Sequence, residues 1–493
     1  MKQLKYRILI VALVLSASLQ AQKENIFLDR TFWDTKPSIE TVDAKITAGN
    51  DIAQLNSNSF DPVVYAILQN APNTSIEYIL SKEGNDVNKL THDGRTYIFW
   101  AAYKGNLTIV HYLLNNGAKT DIKDDKGSTI LNFAASSGQQ NTKIYDLLIA
   151  NGANLQEDLN PKGANALLLA APADPNFNLI NYFISKGLSL NSVDADGNGV
   201  FNYVAKTGNI AFMNALIKKG VKGNDNAMIF ASQGTRNAQN GLAVFTYLES
   251  LGMNPNVVSK DGITPLHAIA SGSNDLSLFD YFLKKGADVN QTDSNGNTVF
   301  MNAASRNNLE VLSLLAITVQ DINAVNKKGI SPLALAVQNN SAEIVQFLIS
   351  KKANVGVLDK NGNNLIYYLM NGYSSKKSED FEAKLKLLQA NGLVATTPQK
   401  NGNTLYHLAL DKDDLDLLKR VGQFDIDVNA KNKEGITPLH KAAMRAKDAV
   451  ILKYLVSIGA KKDALTDFDE SAYDLAAENE LLKQGKTAIE FLK

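Results

Sequence analysis

A glycine in a polar turn returns along this chain at nearly fixed spacing. As a rule Thr, Ser or Asn follows two residues later, then an apolar residue. These glycines are Gly94, Gly127, Gly163, Gly197, Gly223, Gly262, Gly296, Gly329, Gly362, Gly402 and Gly435. Most intervals are 33 or 34 residues, but Gly197 to Gly223 is only 26, and Gly362 to Gly402 is 40. Ser59 and Asp469 hold the same register at the two ends, which makes about thirteen units.

One unit shows why the period folds as it does. It reads DDKGSTILNFAASSG, then NTKIYDLLIANGANL. Asp124 and Gly127 stand at the first and fourth positions of a four-residue turn, where type I turns favour Asp and Gly. Asp194 with Gly197, Asp293 with Gly296 and Asp359 with Gly362 repeat that arrangement. Thr264 before Pro265 and Thr437 before Pro438 place an N-cap hydroxyl ahead of an N1 proline. Alanine pairs (Ala101 and Ala102, Ala134 and Ala135, Ala303 and Ala304, Ala442 and Ala443) let a first helix approach its neighbours closely. A second helix with apolar spacing follows, as at Ile344, Val345, Phe347 and Leu348. It ends on glycine, as in Lys284-Lys285-Gly286, where Gly supplies a left-handed cap and the lysines face the negative helix end. A helix pair of this length cannot bury enough surface alone, so neighbours must stack into one core.

The pattern resembles the ankyrin repeat family. TPLH stands intact at 264–267 and 437–440, GADVN at 286–290 and GNLTIVHYLLNNGA at 105–118. The resemblance covers residues from about 40 to about 480. It implies an all-α solenoid of helix–turn–helix units with short β-hairpin fingers and a concave binding surface. His267, His407 and His440 share one position, three residues after the helix cap, where the family uses histidine to stabilise the turn.

Departures from register predict local irregularities. The short interval after Gly197 implies a truncated finger and a joint near 220–226, dividing a subarray at 59–222 from one at 223–493 that ends in a C-terminal cap. Residues 22–58 form an N-terminal cap segment. Two polar insertions, at 234–241 and 372–380, are expected to lengthen the turn between a unit's two helices.

The first residues read as a secretory signal. Lys2, Lys5 and Arg7 precede the apolar run ILIVALVL at 8–15, and small residues follow. Cleavage is expected after Ala21, or alternatively after Ser18; a retained anchor is the other reading. The apolar run is far short of the ~20 residues that span a bilayer. No later segment is apolar enough to insert, so the mature chain is not expected in the membrane. Removing 1–21 takes away three positive charges and no negative ones from a chain of 50 basic and 50 acidic side chains. Cysteine is absent, which excludes disulfides, thiolate metal sites and a thiol nucleophile. These features fit export to the periplasm of a Gram-negative bacterium, with the extracellular space second.

Chemistry-bearing motifs dissolve into the repeat. Asp194-Ala-Asp196-Gly-Asn198-Gly199 imitates a calcium loop, but the twelfth position is Ala205 and the acids fall in the repeat's turn. Gly485-Lys486-Thr487 lacks the leading glycine of a phosphate loop. The five histidines, which include His92 and His111, show no metal-binding spacing, and GxSxG is missing. Lysine pairs such as Lys218-Lys219 and Lys351-Lys352 sit at helix ends, and the balanced charge argues against a nucleic-acid partner. Trp100 is expected in the core, and Tyr103 on the binding side as an aromatic anchor.

The sequence therefore predicts a scaffold that binds another protein, with no cofactor, metal or catalytic residue. A secreted effector or toxin-associated protein is the alternative, and an enzyme a third. By register the contact residues are Tyr103, Lys104, Lys206, Arg306, Gln338 and Arg445 on inner helices, with Lys126, Asn295, Lys328 and Glu434 at fingertips.

Overall fold

The computed structural model describes residues 25–493, so the segment read as a leader and both expected cleavage positions lie outside the described residues. Among the described residues the chain is a succession of short helices with three isolated β-bridges. It divides into two compact units at Ala227 and Met228.

The first unit stacks antiparallel helix pairs. First helices Pro62–Leu68, Tyr97–Lys104, Ile130–Ser136 and Ala166–Ala170 pack in succession. Second helices Asn73–Leu80, Leu107–Asn115 and Thr142–Ala150 pack in a parallel layer. The alanine pairs at 101–102 and 134–135 are fully buried, as close helix approach requires. Trp100 is 6 % exposed and its indole N–H donates to Thr91 Oγ1 at 2.8 Å, so it belongs to the core. Within residues 22–58, expected to form an N-terminal cap segment, Arg30–Asp34 and Ile39–Thr47 form a helix pair packed on the next. Trp33, fully buried, anchors it through Phe27 and Phe32 and donates its indole N–H to the Phe27 carbonyl at 2.9 Å.

The second unit repeats the design with first helices Pro265–Gly272, Val299–Arg306, Pro332–Asn339, Leu365–Asn371, Leu405–Ala409, Pro438–Arg445 and Ala472–Glu478. The insertion at 234–241 lies between Asn226–Gln233 and Leu242–Ser250, as expected. The insertion at 372–380 is only partly a loop. Its end is helical, because Ser378–Ala390 runs thirteen residues and buries Phe381, Leu385 and Leu388 at helical spacing.

The fingers differ from the expected hairpins. Each is a tight turn, and β pairing reduces to the bridges Val193–Gly199, Thr292–Thr298 and Leu465–Ser471. The opening side chain takes over the hydrogen bonds. Asp124 Oδ1 accepts from the amides of Lys126 and Ser128, and Asp194, Asp293 and Asp359 do the same two and four residues on. The Asp194 carboxylate also receives Asn198 and Tyr203, so the calcium-like motif is occupied by its own turn. Ser59 and Asp469 adopt the left-handed conformation of the turn glycines, with φ of 59° and 61°. Gly223 is not among the positive-φ glycines of the described residues, because its finger is missing. There Asn224 stands in for the finger: its side chain donates to the Gly197 carbonyl, accepts from Asn202 Nδ2 and caps the Asn226 amide.

Adjoining pairs are tied by side chains aimed at helix ends. Asn307 Nδ2 donates to the carbonyls of Ala270 and Ser273 at 3.0 and 2.7 Å. Asn340 repeats this one pair later on Ala304 and Asn307, and Asn479 does so on Ala443 and Ala446. In the first unit Gln139 reaches Ala102 and Tyr103. Each bond satisfies carbonyls that the end of a helix leaves without an internal partner. The shared histidines work at the other end. His407 Nδ1 accepts from Thr404 N–H at 3.2 Å, and its Nε2 donates to the Ile436 carbonyl of the next unit at 2.9 Å. His267 and His440 make the same pair of bonds. Gly485-Lys486-Thr487 closes the helix Glu480–Gln484 rather than opening one, the reverse of a phosphate loop.

Two consequences are measurable. Asn307→Ala leaves two buried carbonyls without a donor and should cost about 1–3 kcal/mol in urea unfolding; a change near zero would remove the ladder from the stability account. The histidines must be neutral to accept at Nδ1, and burial lowers all three below their ordinary value. A lowered native value means stability is fully present above about pH 6.5 and is lost as pH falls through the native value. The thermal midpoint should drop between about pH 7.5 and 5.5, and less so in His407→Gln. An equal drop in wild type and variant contradicts the assignment.

Candidate functional site

The ten register-derived positions fall into two classes. Tyr103, Lys206 and Gln338 are the seventh residues after their helix N-caps, and Lys104, Arg306 and Arg445 the eighth. All six therefore mark the C-terminal ends of first helices. Basic side chains there also complement the helix dipole, so part of their placement is explained by the helix itself. Lys126, Asn295, Lys328 and Glu434 are third residues of finger turns, and the last three precede the helices that carry Arg306, Gln338 and Arg445. Eight residues of helix separate the two classes, about 12 Å along the axis.

The structure brings some of these together. Arg306 and Gln338 lie on packed neighbours, Val299–Arg306 and Pro332–Asn339. Asn295 and Lys328 are on consecutive fingers, joined where Lys327 N–H donates to the Asn295 carbonyl at 2.8 Å. Arg445 and Glu434 share one repeat but sit at opposite ends of its first helix. Tyr103, 43 % exposed, packs its ring edge toward Phe133 at 6.0 Å while presenting the rest to solvent. Lys206 caps its helix in the next but two pair of the first unit, away from Tyr103 and Lys104.

Local electrostatics separate occupied positions from open ones. Arg445 approaches Asp411 at 3.7 Å beside a shared Lys441 contact, and Lys447 pairs with Asp413 at 2.8 Å. Asp411, Asp413, Arg445 and Lys447 rim a cleft of about 200 Å³. Arg306 lines a second, open cleft of about 300 Å³ with Ser271, Ser273, Asn274, Asn307 and Asn308. Both are polar and shallow, unlike the apolar enclosures that hold small ligands. Lys126 is held by Asp93 at 2.6 Å, and that bond keeps the Asp93 carboxyl below its ordinary range.

That last contact belongs to a cluster that register alone did not reveal. Arg95 is 7 % exposed and forks onto Asp124 Oδ2 at 3.0 and 2.9 Å. It also meets Asp93 at 3.1 Å and lies over the Phe133 ring at 4.3 Å. Arg95 is the one charged residue directly after a turn glycine, which was the available signal. It spends its charge inside the repeat and leaves Lys126 as the exposed rim of a structural network. Arg95→Leu strands buried Asp124 and should cost about 3 kcal/mol or more, whereas Lys126→Ala should cost under about 1 kcal/mol. Chemical denaturation of the two variants distinguishes them, and equal losses would refute the partition.

The sequence matches a family model described as ankyrin repeats (3 copies) over residues 36–124, 63–158, 109–194, 228–326 and 300–375. A second model, ankyrin repeats (many copies), matches 405–456. Among similar curated proteins, a putative palmitoyltransferase ZDHHC13 of Danio rerio is 27% identical over 41% of this chain and 32% of its own length. The phosphocholine transferase AnkX of Legionella pneumophila is 23% identical over 53% of this chain and 25% of its own length. Alpha-latrotoxin-Lg1a of Latrodectus geometricus is 31% identical over 27% of this chain and 10% of its own length. The chain thus spans a third or less of each of these relatives.

Proposed function

The chain belongs to the ankyrin repeat family, and from that premise we propose that it is an exported scaffold that holds another protein. Within each unit the binding surface is formed by the ends of the first helices and by the fingertips. One observation carries this reading: the apolar sides of the helices are consumed in stacking, while Tyr103, Arg306, Arg445, Asn295, Lys328 and Glu434 remain exposed. Binding through such positions asks nothing of the core, so contacts can vary while the frame stays fixed.

Export rests on Lys2, Lys5 and Arg7 ahead of the apolar run at 8–15. Among the described residues no helix is long and apolar enough to cross a membrane. We place the mature chain in the periplasm of a Gram-negative bacterium. A second reading, a secreted effector acting on another cell, draws support from the partial likeness to a protein named as a latrotoxin. Cell fractionation decides between them: recovery in the periplasm alone counts against the effector. No catalytic step is proposed. The transferases named above are matched over 32% and 25% of their own lengths, and their activities are not carried to this chain.

Crosslinking in the native envelope, followed by mass spectrometry, identifies the partner. Replacing Tyr103, Arg306, Gln338 and Arg445 together by Ala should reduce its capture about tenfold while the thermal midpoint stays within a few degrees. Capture unchanged by the four substitutions would sink this placement of the surface.

A further inference from the structure

The fingers of the second unit carry a row of exposed lysines whose side chains the turns do not use. The second turn positions of four consecutive fingers are Lys327, Lys360, Lys400 and Lys433, with Lys328 at the tip beside the first. All five are exposed. Among the described residues none of them makes a hydrogen bond or ion pair through its side chain. The backbone fixes them in a row. Lys327 N–H donates to the Asn295 carbonyl, Lys360 to Lys328, Lys400 to Gly362 and Lys433 to Asn401, at 2.8, 2.9, 3.3 and 2.9 Å. Gly362, at φ of 77°, leaves the space over which the Lys400 stem lies.

The turn itself needs an acceptor at its first position, and a neutral amide there also donates to the preceding repeat, from Asn326 to Asn297, Gln399 to Asn364 and Asn432 to Asn403. In three of these fingers that acceptor is neutral: Asn326, Gln399 and Asn432. Asn326 and Asn432 bind the amides two and four residues on just as aspartate does elsewhere. The one aspartate, Asp359, spends its carboxylate on Asn361, Asn363 and Tyr368. Glu434 is the single acid at a tip position of the row. The first unit is different, since Lys126 is neutralised by Asp93. Apolar side chains punctuate the row, because Val325 and Leu358, each directly before its turn, are 50% and 57% exposed. Beyond Lys433 the next finger is acidic, with Asp467 and Asp469 around an exposed Phe468, which bounds the basic stretch.

We propose that this lysine row is the docking site for an acidic segment of the partner protein, whose apolar residues settle between the lysines on Val325 and Leu358. The inference rests on the scaffold reading above and adds the partner's chemistry to it. Charge complementarity selects the occupant. The interleaved aliphatic side chains and the acidic end of the row favour a protein segment over nucleic acid, which would use aromatic stacking and a longer basic track.

The test uses the full mature chain and a fluorescent peptide of about twelve residues, glutamates with two leucines, against an oligothymidylate of similar charge. The wild type should bind the peptide, and binding should weaken severalfold when salt rises from about 50 to about 300 mM, as the screening length shortens. Changing Lys327, Lys360, Lys400 and Lys433 together to Gln should weaken it about tenfold, with circular dichroism and thermal midpoint unchanged because the side chains are exposed. No peptide binding, equal binding by the variant, or tighter binding of the oligonucleotide overturns the proposal. Envelope crosslinking separates the two levels of inference. A partner lost with the inner-helix alanine variant but kept by the fingertip variant refutes the lysine row and spares the scaffold; a partner kept by both refutes both.

Discussion

Every pair of helices in this chain depends on the next pair to finish it. About thirty residues of short helix cannot bury an apolar side against themselves, and each helix end leaves carbonyls and amides without internal partners. The neighbouring repeat answers both needs at once. Its first helix covers the apolar side, and its polar side chains reach back to the open ends. Asn307, Asn340 and Asn479 do this at first-helix C-termini, while His267, His407 and His440 cap their own helix N-termini and donate forward to carbonyls of the next repeat. A third set works at the second helices. Asn290 donates to the Thr318 carbonyl and accepts from Gln320 N–H, and Asn429 repeats this with Gly459 and Lys461. Stability in such a frame is local and additive along neighbours.

This division of labour determined what could be read from sequence. The turn glycines, the Thr-Pro caps and the recurring histidine are demands of a single chemical position, so they repeat visibly and locate the helices. Ser59 and Asp469 were placed by register although neither is glycine, and both adopt the left-handed conformation. The asparagine ladder was less legible, because its partners lie about one repeat away and its role is also filled by Gln139. The pair at Arg30–Asp34 and Ile39–Thr47 escaped for another reason. It has no turn glycine, and its core is an aromatic cluster of Phe27, Phe32 and Trp33 rather than alanines.

The two insertions make the same point from opposite sides. Both begin with turn-forming residues, and composition alone reads them as loops. At 372–380 the following Phe381, Leu385 and Leu388 continue a helical period backwards into Ser378. The periodic signal overrode the compositional one. The candidate contacts lie at the two ends of first helices, and register could not tell which charges were already committed. Lys126 lies against Asp93, and the reason is Arg95, whose buried guanidinium holds Asp93 and Asp124 together.

Which surface residues are free for a partner follows from what the fold requires of each position. A finger turn requires an acceptor first and, toward its end, a residue that tolerates left-handed backbone; the two positions between are unconstrained except for one backbone bond to the preceding finger. Aspartate and asparagine satisfy the first requirement equally well, yet they differ by one unit of charge. A finger built on Asp124 or Asp194 brings a carboxylate into its turn, and one built on Asn326 or Asn432 brings a neutral amide. The amide also offers a donor that aspartate lacks: Asn326, Gln399 and Asn432 donate to Asn297, Asn364 and Asn403 of the preceding repeat. The fold therefore accounts for the neutral acceptors, whereas the side chains of Lys327, Lys360, Lys400 and Lys433 are exposed and unpaired among the described residues, and recognition is where their charge is felt.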